Sequence, residues 1–469
     1  MFPRRRLDTA GFALLAAYVL AVELLWLFDP IRPDRSVYLI DLFNPFFRTS
    51  ALAPLFWGLS AVLKLRNLRI RQNPEEGRPV FFSARLWLIV LRVWTAAVAF
   101  AAAAFIVAAP DQWAPIVTLL LVAAASVLAE WAASEWAHRR SFPRTTAAAA
   151  AVVIAVAALL LFPTNRSVIY PGLTVNMNRY AQVEGAASGE RGGGIMGVLV
   201  FERPAFPVDW LFARLFPHYE FYARDPDVSV GEQLREVRGM KVDANTIGSA
   251  VAFEKAGLGV QIRYRGANVV ATDARGPASA ALEPGDLIVE VDGLPITAAG
   301  DLVRHMAGLQ PGDEVTLEVR RQGKPMTVTL QAAEHPDRAG AAYLGVSLMD
   351  DVQIELPQSV HYREYLIHAG GPSHGAMLAL ALLDQLTPGG VTYGNRAAGT
   401  GTIDLNGNIG PIGGIAQKTY AVERAGADVF FVPASQAEEA RRAASKLRIV
   451  PVETLDDMLN WLKEHPKHD

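Results

Sequence analysis

The sequence predicts an all-α, multi-pass membrane domain at its N-terminal end. A soluble α/β (α+β) domain, interrupted by a small strand-rich module, is expected to follow. Three observations carry this reading. Residues 1–163 are far more apolar than the rest and contain five long apolar stretches. From residue 164 short strands alternate with amphipathic helices, the pattern of a layered, mixed sheet. Over about 257–333, Pro-Gly-Asp and Asp-Gly turns separate short alternating strands around one helix. At 469 residues the chain exceeds one domain. A net charge of −3 argues against a nucleic-acid partner. The absence of cysteine excludes disulfides, thiolate metal sites and a cysteine nucleophile. Neither a metal site nor a cofactor is expected.

The five apolar stretches are 9–28, roughly 48–64, 86–109, 113–134 and 145–162, each near the ~20 residues a bilayer-crossing helix needs. Pro54 makes the second the weakest. The first ends in bulky Leu-Leu-Trp-Leu-Phe, unlike the small-residue site of a cleaved signal peptide. Basic residues cluster at Arg4–Arg6, from Lys64 to Arg85, and at Arg139, Arg140 and Arg144. Such clusters mark cytoplasmic loops. Five spans would therefore put everything after Phe162 on the extracytoplasmic side of the membrane, and loss of the second would reverse that. Glu23 and Arg92 fall inside spans, near enough to a surface that both are expected to snorkel. A transport path gains little from them.

Domain boundaries are read at 1–163, 164–256, 257–333 and 334–469. In 164–256, Gly192–Phe216 reads as a strand, a proline-marked turn and an amphipathic helix. The segment Asp243–Gly257 reads as a second helix opening on capping residue types, with the polar stretch before it on the surface. The module that follows carries Pro284-Gly285-Asp286, Val291-Asp292-Gly293 and Arg320-x-x-Gly323-Lys324, in that order. It resembles a PDZ domain of the bacterial, protease-associated kind. That resemblance implies a peptide taken as an extra strand, with its carboxylate held by backbone amides. Gly257-Leu258-Gly259-Val260 is one candidate for the carboxylate loop and Leu344-Gly345-Val346 another, and the choice between them stays open. A module that merely packs on its neighbour is the alternative.

In the last segment, Gly370-Gly371-Pro372-Ser373-His374-Gly375 precedes a small, apolar helix. Ser373 is either a helix cap or a nucleophile. A serine nucleophile needs a base within hydrogen-bond reach. His374 is adjacent, and adjacent helical side chains do not face each other. His361 and His368 lie in a loop without an evident acidic orienter. Lys418 sits on a helix entered through Gly413-Gly414, among Ile415, Ala416, Tyr420, Ala421 and Val422, a setting that lowers an amine's pKa. Backbone amides at the start of the serine helix, around Gly371, His374 and Gly375, would supply an oxyanion site.

The order of Gly-Gly-Pro-Ser-His-Gly, then Ala398–Ile415 with Gln417-Lys418, then Gly426–Ala434 resembles the proteolytic domain of Lon-type peptidases. More closely, the chain resembles the membrane-anchored, PDZ-containing Lon-like proteins of bacteria. The resemblance implies Ser373 as nucleophile, Lys418 as base and Thr400 as the residue supporting the lysine. It reaches upstream through Tyr170–Gly185 and Ala244–Gly257, which implies a PDZ domain inserted into the proteolytic domain. His374 stands where the family usually has alanine, and is expected to narrow the cleft. The acidic residue that often precedes Gly-Pro-Ser is replaced by Gly370-Gly371. No Walker-type Gly-x-x-x-x-Gly-Lys-Ser/Thr occurs in the sequence. The expectation is an ATP-independent serine endopeptidase acting on extracytoplasmic or membrane-proximal polypeptides, with the PDZ domain binding or gating substrate. Its partners would be polypeptide substrates and the lipid bilayer, with further copies of itself as another candidate partner. The alternative is an inactive, membrane-anchored PDZ scaffold.

Overall fold

Glu23 and Arg92, expected to reach for the membrane surface, are instead held in ion pairs within the protein. The computed structural model describes residues 6–29, 37–70, 84–139, 142–186, 193–224, 230–273, 275–336, 338–368 and 370–467. Its N-terminal helices are α1 (Arg6–Glu23), α2 (Leu39–Thr49), α3 (Leu52–Ile70), α4 (Ala84–Ala108), α5 (Trp113–Arg139) and α6 (Arg144–Leu161). Arg92 Nε donates to Glu130 Oε1 (2.8 Å), and Lys64 Nζ bridges Glu130 Oε2 (3.0 Å) and Asp8 Oδ2 (2.6 Å). Trp131 Nε1 also donates to Asp8 (2.7 Å). Two acids and two bases thus tie α1, α3, α4 and α5 together. With Asp8 and Glu130 buried, each charge needs its partner. Glu23 pairs with Arg203 (2.8 Å), so neither Glu23 nor Arg92 is a lone snorkelling charge.

Four stretches are long and apolar enough to cross a membrane: Leu39–Asn67, Leu86–Ala108, Trp113–Trp136 and Arg144–Leu161. The expected count was five. α1 drops out because its 18 residues include Arg6, Asp8 and Glu23. The expected second span survives and lengthens. Pro54 falls in the first turn of α3, where a missing N–H costs no hydrogen bond.

The chain divides into two compact units, Met1–Ala252 with Val360–Asp469, and Phe253–Ser359. In the first, a six-stranded sheet runs in the order Ile449–Val452, Val429–Pro433, Arg396–Gly399, Gly194–Pro204, Arg166–Asn176, Glu220–Ala223. The first three joins are parallel and the last two antiparallel. Ala398 lies opposite both Met196 and Phe430. The serine helix Gly375–Leu386 is buried all round from Gly375 to Asp384, as its composition of Gly, Ala, Met and Leu demands. The lysine helix Ile415–Ala425 begins at Gly414, whose φ of +68° favours glycine. An added Cβ there would stand 2.8 Å from Ile169 Cδ1.

Packing continues across the boundary expected at residue 163. The carboxylate of Asp29 accepts from the Thr174 amide and hydroxyl (both 2.6 Å) and from the Leu39 amide (3.0 Å). Trp26 is buried against Phe216, Tyr219 and Tyr420, and Arg424 donates to the Leu27 carbonyl. The connection after α1 therefore braces the lysine helix. The helix expected from Asp243 in fact runs Val230–Lys255, so the polar stretch read as surface supplies its first turns and no cap forms at Asp243.

The second unit is an antiparallel sheet, in the order Val346–Glu355, Gln261–Thr272, Leu287–Val291, Glu314–Arg321, Lys324–Gln331, with the helix Ala299–Met306. Ile288, Val291, Leu302, Val315 and Leu317 centre its core. Arg321 grips the buried Asp286 with two hydrogen bonds of 2.8 and 2.7 Å, lowering that carboxyl's pKa.

Candidate active site

The turn before Ser373 is glycine by necessity. A Cβ on Gly370 would lie 2.2 Å from the Val237 carbonyl oxygen, and Gly371 has φ +106°. The Gly371 amide donates to that same carbonyl (3.0 Å), binding the turn to the long helix Val230–Lys255. After the turn, the Ser373 carbonyl accepts from the Gly401 amide (2.8 Å) and the Thr400 hydroxyl (3.0 Å). The Ala376 amide returns a bond to the Gly401 carbonyl (3.1 Å). Backbone and threonine together thus fix the serine's main chain.

Thr400 also faces the lysine. Its Oγ1 accepts from Lys418 Nζ (3.2 Å) while donating to Ser373, the two roles one hydroxyl fills. Lys418 is 2 % exposed and no carboxylate pairs with it among the described residues. Burial alone pushes its pKa down to about 7. Ser373 and Lys418 line one cleft of about 450 Å³, with Ile169, Leu199, Val237 and Met240 among its apolar walls. Among the described residues, Ser373 Oγ makes no hydrogen bond to Lys418. Thr400→Val should lower the cleavage rate roughly 5–10-fold, the effect of losing about one hydrogen bond, with peptide kcat as the measurement.

His374 does not narrow the cleft as expected. Its ring is buried behind the turn, with Nδ1 on the Gly371 carbonyl (3.0 Å) and Nε2 on the Asn245 side chain (2.8 Å), edge-on to Tyr180. Burial holds its pKa down to about 4, so the imidazole is neutral. His368 lines the cleft and is also kept neutral by burial, its Nδ1 without a hydrogen-bond partner among the described residues. His361 is exposed on the strand Val360–Tyr362. With folded pKa values below the unfolded ~6.5, His368 and His374 bind more protons in the unfolded chain. Stability should therefore fall as pH drops from about 6.5 toward 4. His374→Asn, which keeps a donor near Nδ1, should flatten that loss while retaining most activity; melting temperature against pH is the measurement.

Of the amides expected to form an oxyanion site, those of Gly371 and Gly375 are taken, by Val237 and by Pro372. The His374 amide is without a partner among the described residues. Sequence reading missed Val237, Asn245 and Tyr180. No local pattern pointed to them, because Val237 and Asn245 lie on the helix Val230–Lys255 and Tyr180 on Met177–Tyr180, both far along the chain from Ser373.

In the other unit, Gly257 and Gly259 have φ of +74° and +69°. The Gly257 and Leu258 amides already donate to Glu254 and Phe253, leaving those of Gly259 and Val260 in that loop. The strand after it, Gln261–Thr272, is flanked by strands on both sides. Val346–Glu355, directly after Leu344-Gly345, is an edge strand. An added strand needs such an edge, which favours the second candidate loop.

Residues 251–331 match the PDZ domain family. The chain is 32 % identical over 184 residues to Lon protease 1 of Myxococcus xanthus, covering 38 % of this chain and 22 % of that protein. It is 27 % identical over 194 residues to the Lon protease of Neorickettsia sennetsu, covering 39 % and 22 % respectively. With Lon protease 1 of Hydrogenovibrio crunogenus the figures are 30 % over 176 residues, 36 % and 21 %. The chain therefore spans about a fifth of the length of these relatives. Among solved structures it is similar to the PDZ domain of an SdrC-like protein from Listeria monocytogenes, at 23 % identity and a TM-score of 0.18, covering 19 % of this chain and 92 % of that one. A solution structure from Geobacillus thermodenitrificans matches at 30 % identity and a TM-score of 0.17, covering 18 % and 97 %.

Proposed function

We propose that the chain is an ATP-independent, membrane-anchored serine endopeptidase working through a Ser373–Lys418 dyad. Its similarity to Lon proteases, together with its PDZ domain, indicates a protease-related function. The observation that carries the finer reading is a buried lysine, poised near neutrality and bonded to Thr400, in the same cleft as Ser373.

In this mechanism neutral Lys418 takes the Ser373 proton as Oγ attacks the scissile carbonyl. The His374 amide donates to the developing oxyanion, and the Lys418 ammonium then protonates the departing amine. Water hydrolyses the resulting ester with Lys418 again as base. Thr400 orients the amine throughout. The PDZ domain would bind or gate the polypeptide, and further copies of the chain would be additional partners.

The proteolytic part is proposed to lie outside the cytoplasm of a bacterial cell. The basic clusters from Lys64 to Arg85 and at Arg139, Arg140 and Arg144 support this, since they fall on the same side of the candidate spans. An alkaline phosphatase fused after Thr164 should then be active, and activity only of a cytoplasmic reporter would reverse the topology. For the enzyme itself, the full chain in detergent should cleave an unfolded protein without ATP, and Ser373→Ala should not. Equal binding of that protein with no cleavage by either would favour the inactive scaffold.

A further inference from the structure

The short helix Asp209–Leu215 follows the strand Gly194–Pro204 through a Phe-Pro turn and has two unlike sides. Inward, Asp209 and Phe212 are buried, with the Phe212 ring near Phe216. Outward stand Leu211, Arg214 and Leu215, and beside them on the same helical face Trp210, which is partly exposed and stacks on Phe221 (4.6 Å between ring centroids). Leu211 is 55 % and Leu215 63 % exposed, and among the described residues nothing covers them.

Two contacts fix where this face lies. The Val208 amide donates to the Leu159 carbonyl in the last turn of α6 (3.2 Å), and Thr164 bonds back to the Ala205 carbonyl. α6 is a candidate span only 6 % buried, and its apolar surface continues through exposed Leu159, Leu161 and Phe162. From the other side, Asp209 shares Arg203 with Glu23, the last residue of α1. The ends of two N-terminal helices therefore meet at this helix. Its outward chemistry of tryptophan, leucine and one arginine is that of a segment lying in a bilayer interface.

We propose that Asp209–Leu215 is an interfacial helix, with Leu211 and Leu215 among lipid acyl chains, the Trp210–Phe221 stack at the level of the headgroups and Arg214 reaching the phosphates. The strand leading into it lines the cleft from Leu199 to Pro204. The cleft is thereby held beside the bilayer, and its substrates are polypeptide segments close to where they leave the membrane. This inference rests on reading the apolar helices as membrane spans.

The chain lacks cysteine, so single cysteines at Leu211, Val152 and Glu439 can each carry an environment-sensitive fluorophore in the full-length protein. Val152 is exposed within α6 and Glu439 is exposed on the soluble helix Ala437–Ala443. The proteins are reconstituted in vesicles of mixed phosphatidylcholine and phosphatidylglycerol containing spin-labelled lipids. The Leu211 probe should shift to the blue and be quenched more by labels near the glycerol than by labels deep in the chains. The Val152 probe should be quenched most by deep labels, and the Glu439 probe by neither. Water-like emission at Leu211, or a blue shift without lipid quenching, which means a protein partner covers the face, would overturn the proposal. An unquenched Val152 probe would instead refute the membrane reading on which it rests.

Discussion

Lys418→Arg should abolish the proposed peptide cleavage while leaving a folded protein. Arginine keeps the positive charge but cannot become a neutral base at any accessible pH. Lys418→Met should be equally inactive, and should also be more stable than the wild type at neutral pH. The sign follows from the amine's two environments. Its pKa is about 7 when folded and 10.5 when solvated, so between these values the unfolded chain binds more protons. Burying the amine therefore costs stability at pH 7, by up to about 4 kcal/mol, and that cost disappears as pH rises through the window. Removing it with methionine recovers the loss. Loss of catalysis together with a gain in stability is the signature of a desolvated catalytic group. A lysine serving only as structure would give neither. Melting curves from pH 7 to 10 for both proteins check this.

Gly370→Ala should lower activity about 100-fold. The added methyl would meet the Val237 carbonyl oxygen at 2.2 Å, and the backbone atoms on both sides of that contact cannot yield cheaply. Overpacking of this kind costs about 1–3 kcal/mol, so the turn is expected to shift rather than the fold to fail. A displacement of roughly an ångström at the nucleophile costs about two orders of magnitude in rate. Gly194→Ala is the control for stability, because its added carbon would meet nothing within 4 Å and it does not line the cleft. Comparing kcat and melting temperature for the two variants separates a displaced nucleophile from general destabilisation.

What the sequence made legible follows from distance along the chain. The serine turn, the all-apolar helix after it and the glycine entry to the lysine helix are local patterns, and each appears where it was read. The apolar neighbours of Lys418 announced its burial before any contact was visible. The ion pairs between Asp8, Lys64, Glu130 and Arg92 were not legible, because their partners are up to 66 residues apart: Arg92 reads alone as a snorkelling residue and Lys64 as part of a basic loop. Asp29 and Thr174 lie 145 residues apart, so the brace beneath the lysine helix was equally hidden. His374 was misplaced for a related reason. Its neighbour in sequence is the nucleophile, but its partner Asn245 lies 129 residues away and draws the ring behind the turn.

The central claim is that neutral Lys418 activates Ser373. Its most direct measurement is the rate at which a fluorophosphonate labels Ser373, followed from pH 5 to 9 in the wild type and in Lys418→Arg. The account predicts a wild-type rate that rises with pH, with a midpoint near 7 where the buried amine loses its proton, and no labelling in Lys418→Arg. Labelling of Lys418→Arg at the wild-type rate, or a wild-type rate independent of pH, would contradict it.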